Sequence, residues 1–292
     1  MIRRIVQARY LYLCILPAVA FVALFCYVPA ASGLWHSMYE WNGSDISIPV
    51  GWRNFQEIIV DPDFWRAFRH VMIFVAASIV KLAPSVVVAL VLFHVRRETA
   101  QYAYRVIFVI PMVIPAIVGV LIWQFIYNPQ IGVMNALLRL LGHPGGIVWL
   151  GDPKWIIPAI LFIGFPWVGT VGVLILLAGL QNIPESVFEA AALDGVTPFA
   201  RAFRIELPLI MRQIKLNIVL GVIGTLQGYA FILLLLDENG GTGFAADVPG
   251  LYMYRHAFRY GELGYASAVG VILFVVILGL TIFNMKVIKA AD

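Results

Sequence analysis

The chain has 292 residues, of which 62% are hydrophobic and only 12% are charged. Soluble domains are about 45–50% apolar and about 25% charged, so this chain has too few charged side chains to cover a water-facing surface. The composition excludes a soluble enzyme, a disordered chain and a secreted disulfide scaffold, and it leaves an integral membrane protein in contact with a lipid bilayer. The net charge is +4, but the basic residues form no single patch, so we expect no nucleic-acid partner.

Long intervals without charge predict six membrane-spanning helices, since about 20 apolar residues cross a bilayer and lipid cannot satisfy an open backbone. The predicted spans cover residues 10–28, 71–93, 106–127, 156–180, 216–236 and 265–285. The first span also resembles a signal peptide that ends at Ala30-Ala31-Ser32. Its uncharged run is about twice a typical signal-peptide core, so we expect the helix to be retained.

Six spans place both termini on one side of the membrane. With the termini inside, 12 of the 20 Lys and Arg residues lie inside and seven lie outside. The inside set includes Arg3, Arg4, Arg96 and Lys289. This excess follows the positive-inside rule and predicts cytoplasmic termini.

Lys81, in the second predicted span, is the single Lys, Arg, Asp or Glu within the six spans. Proton- and sodium-driven carriers usually keep an ionisable group, often a carboxylate, in the membrane, so the lack of any Asp or Glu in the predicted spans disfavours an ion-coupled carrier. Lys81 itself has two interpretations. It either points into the protein toward backbone carbonyls or a partner subunit, or it contacts an anionic or polyhydroxy substrate.

Nucleotide and metal sites are not predicted. The sequence has no Gly-Lys dipeptide, which a phosphate-binding loop requires. Its five histidines are scattered without the spacing of metal ligands.

A polar segment at about residues 181–213 separates the fourth and fifth predicted spans. Pro184 and Glu185 predict the start of a helix, and Asp194-Gly195 predicts its end, because glycine accepts a left-handed conformation. Thr197-Pro198 predicts a second short helix that Pro208 stops. From the spacing alone, this helix pair either lies on the lipid surface or packs against another protein.

The same segment resembles the coupling loop of binding-protein-dependent ABC importer permeases. Glu189-Ala190-Ala191, Gly195 and Ile205-x-Leu207-Pro208 carry the resemblance. Further matches run in order along nearly the whole chain and favour the carbohydrate-uptake branch, which includes maltose and glycerol-3-phosphate permeases. They are Asn54-Phe55, Pro111, Trp123-x-Phe125, Asn128-Pro129, Gly132-x-x-Asn135, Ala178-Gly179-Leu180-Gln181, Tyr254-x-x-Ala257-Phe258 and Gly264-Tyr265-Ala266-Ser267-Ala268.

The resemblance implies an all-helical, six-span type I ABC importer permease fold in a bacterial inner membrane. Residues 1–65 would hold the first span and the start of the outer loop, 66–288 the transmembrane domain, and 289–292 a cytoplasmic tail. The chain would be no enzyme and would bind no cofactor, because ATP and Mg would be bound by an ATPase subunit dimer. The other implied partners are a second permease subunit, an extracytoplasmic solute-binding protein and a sugar substrate.

The resemblance also assigns two sets of residues. The implied coupling residues are Glu189, Ala190, Ala191, Asp194, Gly195 and Pro208, with Glu189 paired to a basic residue of the ATPase. Positions that match sugar contacts of the maltose permease are Gly164, Trp167, Val168, Val171, Gly221, Thr225 and Gly228. Trp167 could stack on a sugar, while Thr225 and the neighbouring Gln227 could hydrogen-bond to it; Lys81 joins this substrate pathway. Ordinary helix packing is the competing interpretation.

One loop departs from the family pattern. Asp237–Thr242 stands where the family usually has Thr-x-Gly-Gly-Pro, which leaves open how that loop meets the binding protein or the second permease. The predicted function is the permease subunit of an ATP-driven importer of a sugar or sugar derivative. The alternative is an ion-coupled secondary carrier that acts without an ATPase.

Overall fold

A computed structural model describes residues 9–95, 97–143 and 145–287, which are mostly helical. Arg3, Arg4, Arg96, Lys289 and the predicted tail lie outside these residues. A hairpin pairs β1 (Tyr39–Trp41) with β2 (Ser47–Pro49) in antiparallel register. The α-helices, in chain order, are α1 Arg9–Val22, α2 Val28–His36, α3 Arg53–Val60, α4 Pro62–Val80, α5 Leu82–Phe93, α6 Glu98–Val113, α7 Ala116–Ile126, α8 Val133–Leu140, α9 Pro153–Phe162, α10 Thr170–Gln181, α11 Glu185–Leu193, α12 Pro198–Arg201, α13 Leu207–Leu209, α14 Met211–Gln227, α15 Tyr229–Leu235, α16 Pro249–Phe258 and α17 Leu263–Val287.

Three continuous helical stretches are long and apolar enough to cross a membrane: Leu13–His36, Pro62–Phe93 and Leu263–Asn284. They overlap the first, second and sixth predicted spans. Three further pairs of helices are long and apolar enough only when the two helices of a pair are counted together. Each pair is bent, by 88° between α6 and α7, by 70° between α10 and α11, and by 66° between Pro198–Leu209 and α14. Counting each bent pair once gives up to six spans by length and composition, so the number of spans stays a prediction.

The fourth predicted span, 156–180, is not a continuous helix. Helix α9 ends at Phe162 and α10 begins at Thr170. Gly164 between them has φ +80°, and the Phe165–Pro166 peptide bond is cis. Proline has no N–H to continue a helix and glycine weakens one, so this local sequence breaks the span. We refer to residues 163–169 as the break.

The third and fifth predicted spans are interrupted as well. Pro115 restricts the preceding Ile114 to an extended conformation, with ψ 125°, so α6 ends there. The fifth span is interrupted at Gly228, between α14 and α15. A Cβ at this position would lie 2.9 Å from the Gly224 carbonyl oxygen, so the turn requires glycine.

Pro208 does not stop the second short helix, contrary to the prediction. A π turn at Ala202–Glu206 precedes this proline. In the turn, the Leu207 N–H donates a hydrogen bond to the Ala202 carbonyl oxygen. This wider turn lets the helical path continue through a residue without an N–H. The path reaches Leu209, and the chain bends at Ile210.

The chain divides into two compact units. One comprises the described residues up to Pro62 together with Met253–Phe274. Within it, the side-chain amide of buried Asn54 donates hydrogen bonds to the carbonyl oxygens of Ser37, at 2.9 Å, and Tyr39, at 3.0 Å. Asn54 thereby attaches α3 to the start of the hairpin, which gives a structural reason for the Asn54-Phe55 motif.

The other unit comprises Asp63–Tyr252 and the described residues from Val275 onward. One of its cores lies where α5 packs against α10. The fully or almost fully buried residues of this core are Ala89, Leu92, Val173, Leu176, Leu177, Leu180 and Ile210. This packing supports the elements that form the candidate sites below.

Asn135 organises the segment between α7 and α9. It is fully buried, and its amide nitrogen donates to the carbonyl oxygens of Pro129 and Ile147 at 3.1 and 2.9 Å. Its amide oxygen accepts from the Ile147 N–H at 3.1 Å and from Trp149 Nε1 at 3.0 Å. One buried side chain therefore satisfies four polar groups of the surrounding segment.

We predict that Asn135→Ala strongly destabilises the protein. The variant leaves the buried Trp149 Nε1–H and three partly buried backbone groups without a partner, and a fully buried one costs about 1–3 kcal/mol, so the total loss should reach about 2 kcal/mol or more. Thermal denaturation of the purified protein in detergent measures the effect. Asn182→Ala is the matched control, because Asn182 is exposed and donates one hydrogen bond, to Ala178. Equal stability of the two variants would contradict the structural role of Asn135.

Candidate functional site

Local sequence signals set the bounds of α11 and α12. Helix α11 begins directly after Pro184, carries Glu185 in its first turn and ends at Leu193, as predicted. Gly195 then adopts φ +68°, a conformation that L-residues rarely take. Thr197 caps α12, because its hydroxyl oxygen accepts a hydrogen bond from the Ala200 N–H at 3.3 Å.

The turn between these helices presents an exposed apolar and acidic surface. Leu193 is 90% exposed and Phe199 is 74% exposed. Exposed Glu189, Ala190 and Asp194 adjoin them in sequence, and we call these five residues the coupling surface. Exposed apolar patches rimmed by polar residues mark contact with another protein or with a membrane. The predicted coupling residue Ala191 is buried instead, so it acts in packing.

A buried carboxylate lies behind the coupling surface. Glu206, in the π turn, is fully buried. Its Oε1 accepts hydrogen bonds from Arg201 Nε at 2.9 Å and from His94 Nε2 at 3.1 Å. His94 directly follows α5, so this cluster attaches the second short helix to the end of α5. A buried charge is tolerated when it is paired in this way.

Aromatic contacts attach α11 to the same place. The Phe188 ring of α11 lies 5.6 Å from the ring of Phe93, the last residue of α5. The guanidinium carbon of Arg201 lies 5.4 Å from the centroid of the Phe188 ring. Arg201 therefore contacts both Glu206 and Phe188, and a displacement of α11 or α12 acts directly on the end of α5. Glu206, His94 and Phe188 were not among the predicted functional residues.

We predict that Glu206→Ala destabilises the attachment of the short helices to α5. Removing the acceptor leaves the partly exposed Arg201 and His94 without it, and the loss of hydrogen bonds to a charged group typically costs about 1.5–3 kcal/mol. Thermal denaturation of the purified complex is the measurement, and Glu206→Gln, which keeps an acceptor oxygen and similar volume, should lose less. Glu185→Ala, at an exposed position of α11, serves as the control. A Glu206→Ala variant as stable as this control would contradict the role of the cluster.

A cavity of about 570 Å³ forms the second candidate site. Its walls come from α4, α5, the break, α10 and α14. The lining residues are Ser78, Ile79, Lys81, Leu82, Ser85, Ile163, Gly164, Trp167, Val168, Gly169, Val171, Gly172, Asn217, Ile218, Leu220 and Gly221.

Ser85 supports the non-helical backbone of the break. Its side chain is buried, and its hydroxyl oxygen accepts a hydrogen bond from the Gly169 N–H at 3.0 Å. The same hydroxyl approaches the Trp167 carbonyl oxygen at 3.5 Å. Irregular backbone at membrane depth is tolerated where it is buried in protein or lines a cavity, and residues of the break line the cavity.

Lys81 and Trp167 meet in this cavity. Lys81 is the residue between α4 and α5, and its Nζ lies 5.6 Å from the centroid of the Trp167 ring, within cation–π range. Trp167 has φ +59°, and its buried Nε1 has no hydrogen-bond partner in the described part of the chain. The two residues are 86 positions apart in sequence, and the break brings them together.

The other predicted substrate-pathway residues do not line the cavity. The Thr225 hydroxyl donates to the Gly221 carbonyl oxygen of its own helix at 2.8 Å. Gln227 is the exposed last residue of α14. Among the positions matched to sugar contacts, Gly164, Trp167, Val168, Val171 and Gly221 line the cavity, whereas Thr225 and Gly228 do not.

The described residues contain no group of three or more His, Cys, Asp and Glu side chains that could hold a metal ion. Cys14 and Cys26 are both free and exposed.

Comparison with known proteins gives one consistent family. Residues 85–289 match the family described as "Binding-protein-dependent transport system inner membrane component". The "Probable ABC transporter permease protein YurN" of Bacillus subtilis is 31% identical over 286 residues, which is 95% of each chain. The "Trehalose/maltose transport system permease protein MalF" of Thermococcus litoralis is 31% identical over 96% of this chain and 94% of its own.

A further relative, the "Sulfoquinovosyl glycerol transport system permease protein SmoG" of Agrobacterium fabrum, is 27% identical over 94% of this chain and 89% of its own. Among solved structures, a chain of a bacterial alginate ABC transporter, crystallised with an alginate-bound periplasmic protein, superposes with a TM-score of 0.83. That match covers 97% of this chain and 94% of the other at 23% identity, so it bears on the fold.

Proposed function

The chain belongs to the family of binding-protein-dependent transport system inner membrane components, and we propose that it is the permease subunit of an ATP-driven importer of a sugar or sugar derivative. It has the type I importer permease fold. Its relatives include permeases named for trehalose and maltose and for sulfoquinovosyl glycerol, which supports a carbohydrate substrate. Trp167 offers an aromatic face in the cavity, on which a sugar ring can stack.

The proposed assembly contains this chain, a second permease subunit, two copies of an ATPase subunit and an extracytoplasmic solute-binding protein. ATP and Mg would be bound by the ATPase. The exposed apolar surface of α1 and α2 supports contact with another membrane subunit or with lipid. Every residue from Leu13 to Ala31 is exposed, although the stretch is almost entirely apolar.

The coupling surface is the proposed contact with the ATPase, and this exposed surface is the observation that carries the proposal. Glu189 would pair with a basic residue of the ATPase, while Leu193 and Phe199 would enter an apolar groove. ATP binding would close the ATPase dimer and draw the coupling surfaces together. This motion would reach α5 through Phe188, Arg201 and Glu206, so that the cavity faces outward. ATP hydrolysis and release of its products would return the cavity to face inward.

The proposed location is the bacterial inner membrane, with both termini in the cytoplasm. The excess of Lys and Arg on the side of the termini supports this orientation. It places the coupling surface in the cytoplasm, where an ATPase subunit has access to ATP. The lengths and composition of the helices allow up to six spans.

The ion-coupled secondary carrier receives less support. Relatives along nearly the whole chain are ABC transporter permeases. The three continuous spans, Leu13–His36, Pro62–Phe93 and Leu263–Asn284, contain Asp63 as their sole acid, and it lies in the first turn of α4. A position at the end of a helix is unsuited to carrying a proton or sodium ion through the middle of the membrane.

We predict that Glu189→Lys abolishes uptake while the complex still inserts in the membrane. The substitution reverses the charge proposed to pair with the ATPase and changes no described contact within this chain. Gly195→Pro should have the same effect, because proline cannot adopt φ +68°. The measurements are uptake in reconstituted proteoliposomes and ATP hydrolysis stimulated by the loaded binding protein.

Glu185→Lys is the matched control, since Glu185 is an exposed acid on the same helix but lies at the opposite end from the turn. This variant should keep most of the uptake. Normal transport by Glu189→Lys and Gly195→Pro, at normal membrane levels, would contradict the proposed coupling role.

A further inference from the structure

Lys81 brings a positive charge into the middle of an apolar stretch. The continuous helical stretch Pro62–Phe93 qualifies as a membrane span, and Lys81 lies 19 residues after its start and 12 residues before its end. A charged side chain at this depth is unfavourable unless it faces water or a partner. The position therefore requires an explanation in terms of a partner for the ammonium group.

The described part of the chain supplies no anionic partner to Lys81. None of the 16 residues that line the cavity is Asp or Glu. Among the described residues, no carboxylate lies within 4.0 Å of the Lys81 Nζ, which instead lies 5.6 Å from the centroid of the Trp167 ring. An aromatic ring attracts a cation but leaves its charge uncompensated.

The cavity also offers groups that suit the neutral part of a sugar. Trp167 provides a ring face and an Nε1–H without a partner. Asn217 keeps its Oδ1 available as an acceptor, since its amide nitrogen donates to the Gln213 carbonyl oxygen at 2.9 Å. A volume of about 570 Å³ accommodates a small saccharide.

Resting on the function proposed above, we propose that this cavity admits a sugar that carries an anionic group, a carboxylate, sulfonate or phosphate, and that Lys81 pairs with that group. The shared chemistry is a compact anion on a polyhydroxy ring. Lys81 compensates the anion, Trp167 stacks on the ring or donates to it, and Asn217 accepts from a hydroxyl. A neutral sugar would leave the ammonium charge uncompensated, so the site discriminates by charge.

Charge-selective labelling tests the first part of this proposal in the reconstituted complex. Ser78 lines the cavity three positions before Lys81, on the same side of the helical path. Ser78→Cys in a Cys14→Ser, Cys26→Ser background gives one reporter thiol in this chain. The rate at which this thiol is labelled is measured with an anionic and with a cationic methanethiosulfonate reagent. Both rates are measured in the protein with Lys81 intact and in the Lys81→Met variant.

With Lys81 intact, the ratio of the anionic to the cationic rate should exceed that of Lys81→Met by about tenfold, because one nearby positive charge attracts the first reagent and repels the second. Lys81→Arg should keep the ratio. A ratio that is unchanged in Lys81→Met would overturn the proposal. Dissociation of the second permease in Lys81→Met, but not in Lys81→Arg, would also overturn it, because Lys81 would then pair with that subunit.

Protection by defined sugars tests the second part. Glucuronate and glucose, at equal concentration, are added before Ser78→Cys is labelled with a neutral reagent. Glucuronate should slow labelling at least fivefold more than glucose does, and this difference should vanish in Lys81→Met. Equal protection by both sugars, or none by either one, would overturn the proposal for a sugar anion.

The outcome is separable from that of the proposed function. ATP hydrolysis by the same preparation, stimulated by the loaded binding protein, reports on the permease assembly without reference to Lys81. Stimulated hydrolysis without charge selectivity at Ser78→Cys rejects the anionic site and leaves the permease function intact. The absence of an associated ATPase rejects the permease function itself.

Discussion

The need to satisfy every backbone hydrogen bond in lipid governs this structure. Helices satisfy their backbone hydrogen bonds internally in the lipid, and a helical membrane protein can leave helical geometry only where protein or a cavity receives its polar groups. The break between α9 and α10 is such a departure, and five of its seven residues line the cavity. The hydroxyl of Ser85 accepts from the Gly169 N–H, and the irregular backbone turns Trp167 toward the cavity. The departure from helical geometry and the candidate transport site are therefore the same feature of the chain.

Helix α5 and the side-chain contacts at its two ends link the two candidate sites. Helix α5 begins beside Lys81 at the cavity and ends at Phe93 beside the short helices. At its far end, Phe93 packs on Phe188, and His94 donates to buried Glu206. A rigid helix of 12 residues thus connects the exposed coupling surface with the cavity. This continuity gives a physical route by which motion at one site changes the other.

Local signals allowed much of the fold to be predicted. Pro184, Gly195 and Thr197-Pro198 determine where short helices begin and end through interactions within a few residues, and the structure agrees with those bounds. Apolar runs located the spans but could not show their interruptions, because hydropathy averages over residues such as Pro115 and Pro166. The prediction that Pro208 stops the second short helix was wrong because the preceding π turn leaves room for a residue without an N–H in the helical path.

The candidate sites were less predictable, because they depend on contacts between distant residues. Lys81 was evident as a charge in an apolar span, yet its position over Trp167 depends on how the break folds. Glu206 and His94 are separated by 112 positions, and nothing local marks them as partners. Thr225 was assigned by its match to a family position, but its hydroxyl bonds within its own helix.

The central claim is that this chain is a conduit whose energy enters from another subunit through the coupling surface. Uptake into proteoliposomes tests it most directly, with the substrate-loaded binding protein outside and either ATP enclosed with the full complex or an ion gradient imposed on this chain alone. We predict uptake only with the full complex and enclosed ATP. Uptake by this chain alone, driven by a proton or sodium gradient, would contradict the claim.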